Sequence, residues 1–217
     1  GICQPDFGYI TNFGKAHLEG FGGTEGVIKG KSELYEYLSS NHKTAFINSD
    51  DAIQNEKTTN INRITFGFNN PENFVNITKI ETNPMVKIEF EDTTIQSHLI
   101  GLYNANNINA AITIGKHFGV SNEKIKFGLE NYIPNNNRSQ LLEKNSNKII
   151  LDAYNANPSS MNAALTNFFQ LEEKNKVAIL GDMFELGIES SDEHKKLIDF
   201  CIKQTDSNFY FIGKDFF

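Results

Sequence analysis

Residues 12–23 read NFGKAHLEGFGG, which sets an imidazole, His17, and a carboxylate, Glu19, among glycines. Glycine lets a backbone and a ligand approach closely. A histidine with oxygen donors can hold a divalent cation. The segment that follows adds a lysine. Lys31 lies three and four residues beyond Ile28 and Val27, and three and four residues before Leu34 and Tyr35. Helical spacing therefore puts it on the apolar stripe that these residues form with Leu38, whereas Lys29 points elsewhere. A long cation on such a face either snorkels to water or pairs with an acid, or it loses its charge. An uncharged amine can take up carbon dioxide as a carbamate, whose two oxygens and negative charge suit magnesium. For His17 a purely structural role and a ligating role both stay open.

The remaining titratable groups sort by position. His42, His98 and His117 read as surface or partly packed residues. His194 is in register with Leu197, Ile198, Cys201 and Ile202 and reads as half-buried on a helix. Cys3 and Cys201 are far apart and lack metal-type spacing, which fits a reducing compartment. A net charge of −7 with a pI near 5.3 argues against a nucleic-acid or anionic-membrane binder acting through a general basic field. No apolar run approaches the roughly 20 residues that span a bilayer.

These residues need elements to position them. FGYITN (7–12) reads as a short strand, 24–39 as a helix, and 44–51 as a strand and turn. From 62 to 100 the pattern becomes short β runs, and the alternation in VKIEFED predicts a half-solvated antiparallel meander. Helices are predicted over 104–119, ended by Gly119, and over 121–132 with Ser121 as N-cap. The polar stretch IPNNNRSQ (133–140) reads as a domain linker, dividing the chain into 1–134 and 135–217. Beyond it, KIILDA (148–153) is predicted as a buried strand, 157–171 as a helix capped by Asn157 with Pro158 first, and KVAILGDM (176–183) as a strand. A helix over 190–204 with Ser190 and Glu193 at capping-box spacing and a strand over 209–214 complete the series. This alternation predicts parallel strands with right-handed crossovers, and ligands beyond their carboxyl ends, where Asp152 and Asp182 stand.

Five stretches carry more than generic pattern: ITNFGKAHLEGFGGTEGVIKGKSELY, GLYNANNINAA, NNRSQ, LDAYNANPSSMNAAL and LGDMFELGIESSDEH, in that order. Together they closely resemble the Mur ligase family, over nearly the whole chain. AHLEGFG, DAYNANPSSM and GDMFELG resemble in particular the member that adds D-alanyl-D-alanine to UDP-N-acetylmuramoyl-tripeptide in peptidoglycan precursor synthesis. The resemblance implies an α/β fold, the second half of a central ATPase domain with a β-rich stretch (1–134) followed by the first part of a Rossmann-like domain (135–217). It implies ATP and Mg2+ as cofactors, a cytoplasmic setting, a monomer, and amide formation through an acyl phosphate.

Residue by residue, the resemblance makes His17 a magnesium ligand and Lys31 a carbamylated lysine that supports the metal. Asn104 and Asn107 match an N-x-x-N pair in which one amide reads adenine, with Tyr103 standing where the family usually has histidine. Arg138 matches a linker arginine that reaches the ATP phosphates, and Asp152 matches the aspartate that binds the ribose. Tyr154, Asn155 and Asn157 belong to the same nucleotide-facing loop. Asp182, Glu185 and His194 fall in a family motif, as does Glu19, without an assigned role. The family's phosphate loop has no counterpart here: GKSEL (30–34) has Glu25 where that loop needs a glycine, and its lysine falls inside a helix. The expectation is a fragment, with that loop before Gly1 and more of the last domain after Phe217, inactive by itself. A Mur-type ligase for another amino acid and a non-catalytic nucleotide-binding module are the competing readings.

Overall fold

A computed structural model describes residues 3–217. The described residues form two compact units, one of residues 3–13 and 28–134, the other of 14–27 and 135–217.

The first unit is built on one sheet, in the order β1 (Phe7–Tyr9), β2 (Thr44–Asn48), β3 (Asn62–Phe68), β4 (Val75–Thr82), β5 (Met85–Phe90), β6 (Thr93–Ile100). The first four strands are parallel to their neighbours, and β4–β5–β6 are antiparallel. The predicted meander is thus confined to its last three strands. The β3–β4 pair is parallel over only three residue pairs. Its short connection is held by asparagines: Asn76 Oδ1 accepts from Asn70 N–H at 2.8 Å, and Asn73 Nδ2 donates to Ser49 Oγ at 2.8 Å. In β5 the side chains alternate between buried and half-buried, as its sequence alternation requires.

Val86, Ile88, Phe90, Ile95, Phe66 and Ile77 pack with Ile108 and Ile112 of α4 (Leu102–His117) and Ile125 of α5 (Asn122–Glu130). A second cluster joins Ile10, Phe13, Ala45 and Ile47 to Tyr35 and Leu38. The last two stand on helix α2 (Thr24–Ser40), with Ile28 and Leu34 of the predicted stripe packed against the same cluster, whereas Val27 joins the core of the second unit. Asp51 caps the short helix α3 (Ala52–Lys57), accepting from Ile53 and Gln54 N–H. Ser121 occupies the N-cap position of α5 without a side-chain capping bond.

The second unit departs from the predicted alternation at its start. The strand foreseen over 148–153 is β8 (Asn147–Leu151), which pairs antiparallel with β7 (Gln140–Lys144) rather than joining a parallel sheet. It is also exposed to half-buried instead of buried. The turn at Asn145 (φ 56°) lets the chain fold straight back on itself, so no crossover intervenes. The other two strands, β9 (Lys176–Gly181) and β10 (Ser207–Ile212), are parallel as expected.

Helix α6 (Pro158–Gln170) opens with a full capping box: Asn157 Oδ1 accepts from Ser160 N–H and Ser160 Oγ accepts from Asn157 N–H. Helix α7 (Ser190–Cys201) does not. Ser190 and Glu193 make no capping box, because a 3-10 turn over Gly187–Glu189 leads into the helix and both side chains are engaged elsewhere. Lys176 is buried, and its ammonium is satisfied by the carbonyls of Phe169 (3.1 Å) and Leu171 (3.2 Å) at the end of α6 and by Asp206 at 2.7 Å.

The core of this unit gathers Leu165, Ala178, Leu180, Met183, Leu186, Leu197 and Cys201. Leu18, from the one-turn helix α1 (Leu18–Phe21), is part of it and only 2% exposed. Leu18→Ala should therefore destabilise this unit by about 2–4 kcal/mol, the usual cost of emptying a buried leucine site. Urea unfolding of the 217-residue chain measures this; a change within about 0.5 kcal/mol, as for surface substitutions, would contradict the placement.

Candidate functional site

Lys31, Asn104 and Asn107 belong to the first unit. The Lys31 side chain is partly buried on α2, and its Nζ donates to the carbonyl of Asn12 at 2.8 Å. The partner is a carbonyl, not a carboxylate, and among the described residues no ion pair offsets the lost hydration. Burial holds the Lys31 amine below the ordinary lysine range. Among the described residues the acid partner that the sequence allowed for is not seen, and the Asn12 carbonyl takes its place.

Asn104 and Asn107 lie in the first turns of α4, after Gly101 (φ 89°), whose conformation and contact with the Tyr103 ring leave no room for a side chain. Asn104 is buried: its Nδ2 donates to Ile100 O at 2.7 Å and its Oδ1 accepts from Asn107 Nδ2 at 3.2 Å. Asn107 is exposed.

Arg138, Asp152, Tyr154 and Asn155 come together in the second unit. Asn137 (φ 56°) and Ser139 (φ 48°) flank Arg138 in the left-handed region. Asn137 O accepts from the N–H groups of Ala153 (2.8 Å) and Tyr154 (3.1 Å), and Asp152 Oδ1 accepts from Ser139 N–H at 3.3 Å. The two segments are thus laced together, and the Arg138 guanidinium lies over the Tyr154 ring, 3.8 Å from its centroid. That distance is a close cation–π stack. Asn155 turns its side chain onto Ala156 N–H. Asp152 does not cap α6; Asn157 does.

His17 is also in the second unit. Its Nδ1 contacts the carboxylate of Glu185. The backbone N–H of Glu19 donates to Glu185 O at 3.0 Å. His194 is fully buried, not half-buried: Nε2 accepts from Met183 N–H at 3.0 Å and Nδ1 donates to Ser190 O at 2.8 Å, so the ring is a neutral bracket for the loop after β9. Asp182 accepts from the backbone N–H groups of Lys214 (2.8 Å) and Asp215 (3.2 Å). A Cβ on Gly213 would fall 2.0 Å from its carboxylate, which explains the glycine there.

Sequence reasoning missed the Lys15–Glu193–Lys196 group. Glu193 is buried and accepts from Lys196 (2.8 Å) and Lys15 (3.0 Å), while Lys15 N–H donates to Ser159 Oγ at 2.8 Å. These side chains line a cleft of about 330 Å³ with Asn162, Met183 and Phe200. The position of Glu193, one residue before the in-register His194, was the available signal. Cys201 is buried, and its thiol is pushed up to about 11, which makes it a core residue and not a nucleophile.

Among the described residues no three His, Cys, Asp or Glu side chains cluster closely enough to hold a metal ion. Also among the described residues, no helix is long and apolar enough to cross a membrane.

The family model "Mur ligase middle domain" matches residues 1–115, and "Mur ligase, glutamate ligase domain" matches residues 137–215. The chain belongs to the Mur ligase family. Among curated Mur ligases, it is 30% identical over 197 residues to the UDP-N-acetylmuramoyl-tripeptide–D-alanyl-D-alanine ligase of Bacillus subtilis, covering 90% of this chain and 43% of that one. It is 31% identical over 204 residues to the enzyme of the same name from Escherichia coli, covering 89% and 44%. The crystal structure of MurF from Acinetobacter baumannii superimposes with a TM-score of 0.85 at 29% identity, covering 98% of this chain and 48% of that one. The chain spans less than half the length of these relatives.

Burial alone would raise the Glu193 carboxyl, but Lys196 and Lys15 outweigh it and hold it below the usual carboxylate range. A carboxylate depressed in the folded state contributes stability above its unfolded value, about 4.3, and that contribution is lost as pH falls through the folded value. Stability should drop over this acid window, and Glu193→Gln should flatten the drop. Equal slopes for the two proteins in urea unfolding between about pH 5 and pH 3, the span around that carboxylate value, would contradict the pairing.

Proposed function

We propose that these residues form part of an ATP-dependent ligase that joins D-alanyl-D-alanine to UDP-N-acetylmuramoyl-tripeptide, in the cytoplasm and as a monomer. The observation that carries the reading is that relatives matched over about nine-tenths of the chain bear that activity in their names. On this reading residues 1–134 belong to the central ATPase domain and 135–217 to the last, Rossmann-like domain.

The reaction has two steps. A carboxylate oxygen of the tripeptide attacks the γ-phosphorus of ATP, ADP leaves, and an acyl phosphate forms. The amine of D-alanyl-D-alanine then attacks the acyl carbon, inorganic phosphate leaves, and the nitrogen loses a proton to give the amide. Charge neutralisation on the phosphates is the main demand. Arg138 is suited to it, with a planar donor array held by Tyr154. Asp152, whose ionised carboxylate only accepts hydrogen bonds, is the residue suited to meet a ribose hydroxyl. The exposed Asn107 is the better reader of adenine, and the buried Asn104 holds its amide in place. Burial makes the Lys31 proton easier to lose; the amine would attack carbon dioxide, and the nitrogen sheds a proton as the N–C bond of the carbamate forms. The carbamate would offer oxygens and His17 a ring nitrogen as magnesium ligands, each from its own unit, and magnesium would supply Lewis-acid neutralisation of phosphoryl oxygens.

The test is ATP-dependent phosphate release by the protein that carries these residues together with a phosphate-binding loop. Lys31→Ala should lower kcat by roughly 100-fold, the scale of one lost transition-state charge contact, with partial rescue by short carboxylates. Arg138→Ala and Asp152→Ala should raise the KM for ATP about tenfold, the worth of one charge-assisted hydrogen bond. Unchanged kinetics in all three would remove these residues from the site. Turnover with a single amino acid in place of D-alanyl-D-alanine would favour another Mur-type ligase. The 217 residues contain no glycine-rich G-K-[ST] loop and should release no phosphate alone; release by them would sink the account.

A further inference from the structure

The His17–Glu185 pair combines features that an incidental surface contact does not need. Both residues are non-glycine and left-handed, at φ 56° and 62°. Both side chains are more than half exposed, at 56% and 59%. An exposed ion pair contributes little to stability, so stability does not account for two such backbones held in register.

The fold enforces them from both sides. Leu18, next to His17, is 2% exposed in the second unit's core, and Met183 and Leu186, on either side of Glu185, are 1% and 3% exposed in the same cluster. The Glu19 N–H to Glu185 O bond joins the two segments directly. His194 fixes Met183 N–H, and with it the start of the loop. Buried anchors thus clamp an exposed pair of side chains into contact. Left-handed backbone strain held in this way is typical of sites where geometry matters.

We propose that Glu185 is a positioning residue for His17. An ionised carboxylate can only accept, so the ring atom it contacts, Nδ1, carries the proton. That fixes the tautomer with the lone pair on Nε2, which has no partner among the described residues. A carboxylate behind an imidazole both orients the ring and raises the basicity of its far nitrogen. The proposal rests on the reading of His17 as a magnesium ligand, with Nε2 as the ligating atom.

Nitrogen-15 shifts of the His17 ring in the 217-residue chain, in mildly alkaline buffer, test it. The wild type should be mainly Nδ1–H. Glu185→Gln keeps an acceptor oxygen and should retain that form, whereas Glu185→Ala should revert to the Nε2–H majority of a free imidazole. An Nε2–H majority in the wild type overturns the proposal without any variant, as does an unchanged tautomer ratio in a folded Glu185→Ala protein. In the protein that carries a phosphate-binding loop, Glu185→Ala should lower kcat by about 10- to 100-fold, the usual effect of removing such a partner, with little change in the KM for ATP. Full turnover by His17→Ala would overturn the metal reading beneath the proposal, a result separate from the tautomer measurement.

Discussion

The insertion of Leu18 into the core of the second unit is the contact on which the arrangement around His17 depends. The surrounding sequence has little of its own to hold it: three of the six residues from Leu18 to Gly23 are glycine, and α1 is a single turn. A single helical turn is unstable in isolation. A leucine fully removed from water supplies about 2 kcal/mol of transfer free energy, enough to order a short turn that hydrogen bonds alone would leave marginal. With Leu18 seated, the backbone donors of Lys15 and Glu19 meet Ser159 and the Glu185 carbonyl. Polar side chains on either side are then held at the surface by a hydrophobic residue that takes no part in chemistry.

Much of this was legible in the sequence, and unevenly so. Helix α2 and its stripe were readable because Val27, Ile28, Leu34, Tyr35 and Leu38 repeat at the helical period, and the misplaced Lys31 stood out against that repeat. The start of α6 was readable because Asn157 and Pro158 act within one turn. The capping box expected at Ser190 and Glu193 failed for a reason local pattern cannot carry. Glu193 is taken by Lys15, far away in sequence, and Ser190 by Asp215 and His194. The same holds for β8. Its apolar letters, Ile149 to Leu151, resemble a buried parallel strand, yet tertiary pairing with β7 sets both its direction and its exposure.

The candidate site divides along the same line. Residue types and their order pointed to Arg138, Asp152 and Tyr154 through a family likeness, but not to the stacking of one on another. Glu185 was visible only as a motif letter, and its contact with His17 spans 168 positions. Such a contact leaves no trace in periodicity. Asn104 shows the converse. Its letter suggests a ligand contact, while its burial and its bond to Ile100 O make it the support for a neighbour.

The stacking of Arg138 on Tyr154 bears on how a ligand would be met. A free arginine side chain carries up to about 2 kcal/mol of rotamer entropy, which is normally surrendered when it closes on an anion. Here part of that loss has already been incurred on folding, because an aromatic face and a laced backbone restrict where the guanidinium can go. The ring leaves the in-plane N–H groups clear, since stacking uses the π face and not the donors. A phosphate arriving at this arginine would find its donors already gathered, and recognition would turn on the direction of approach more than on the search of a flexible arm.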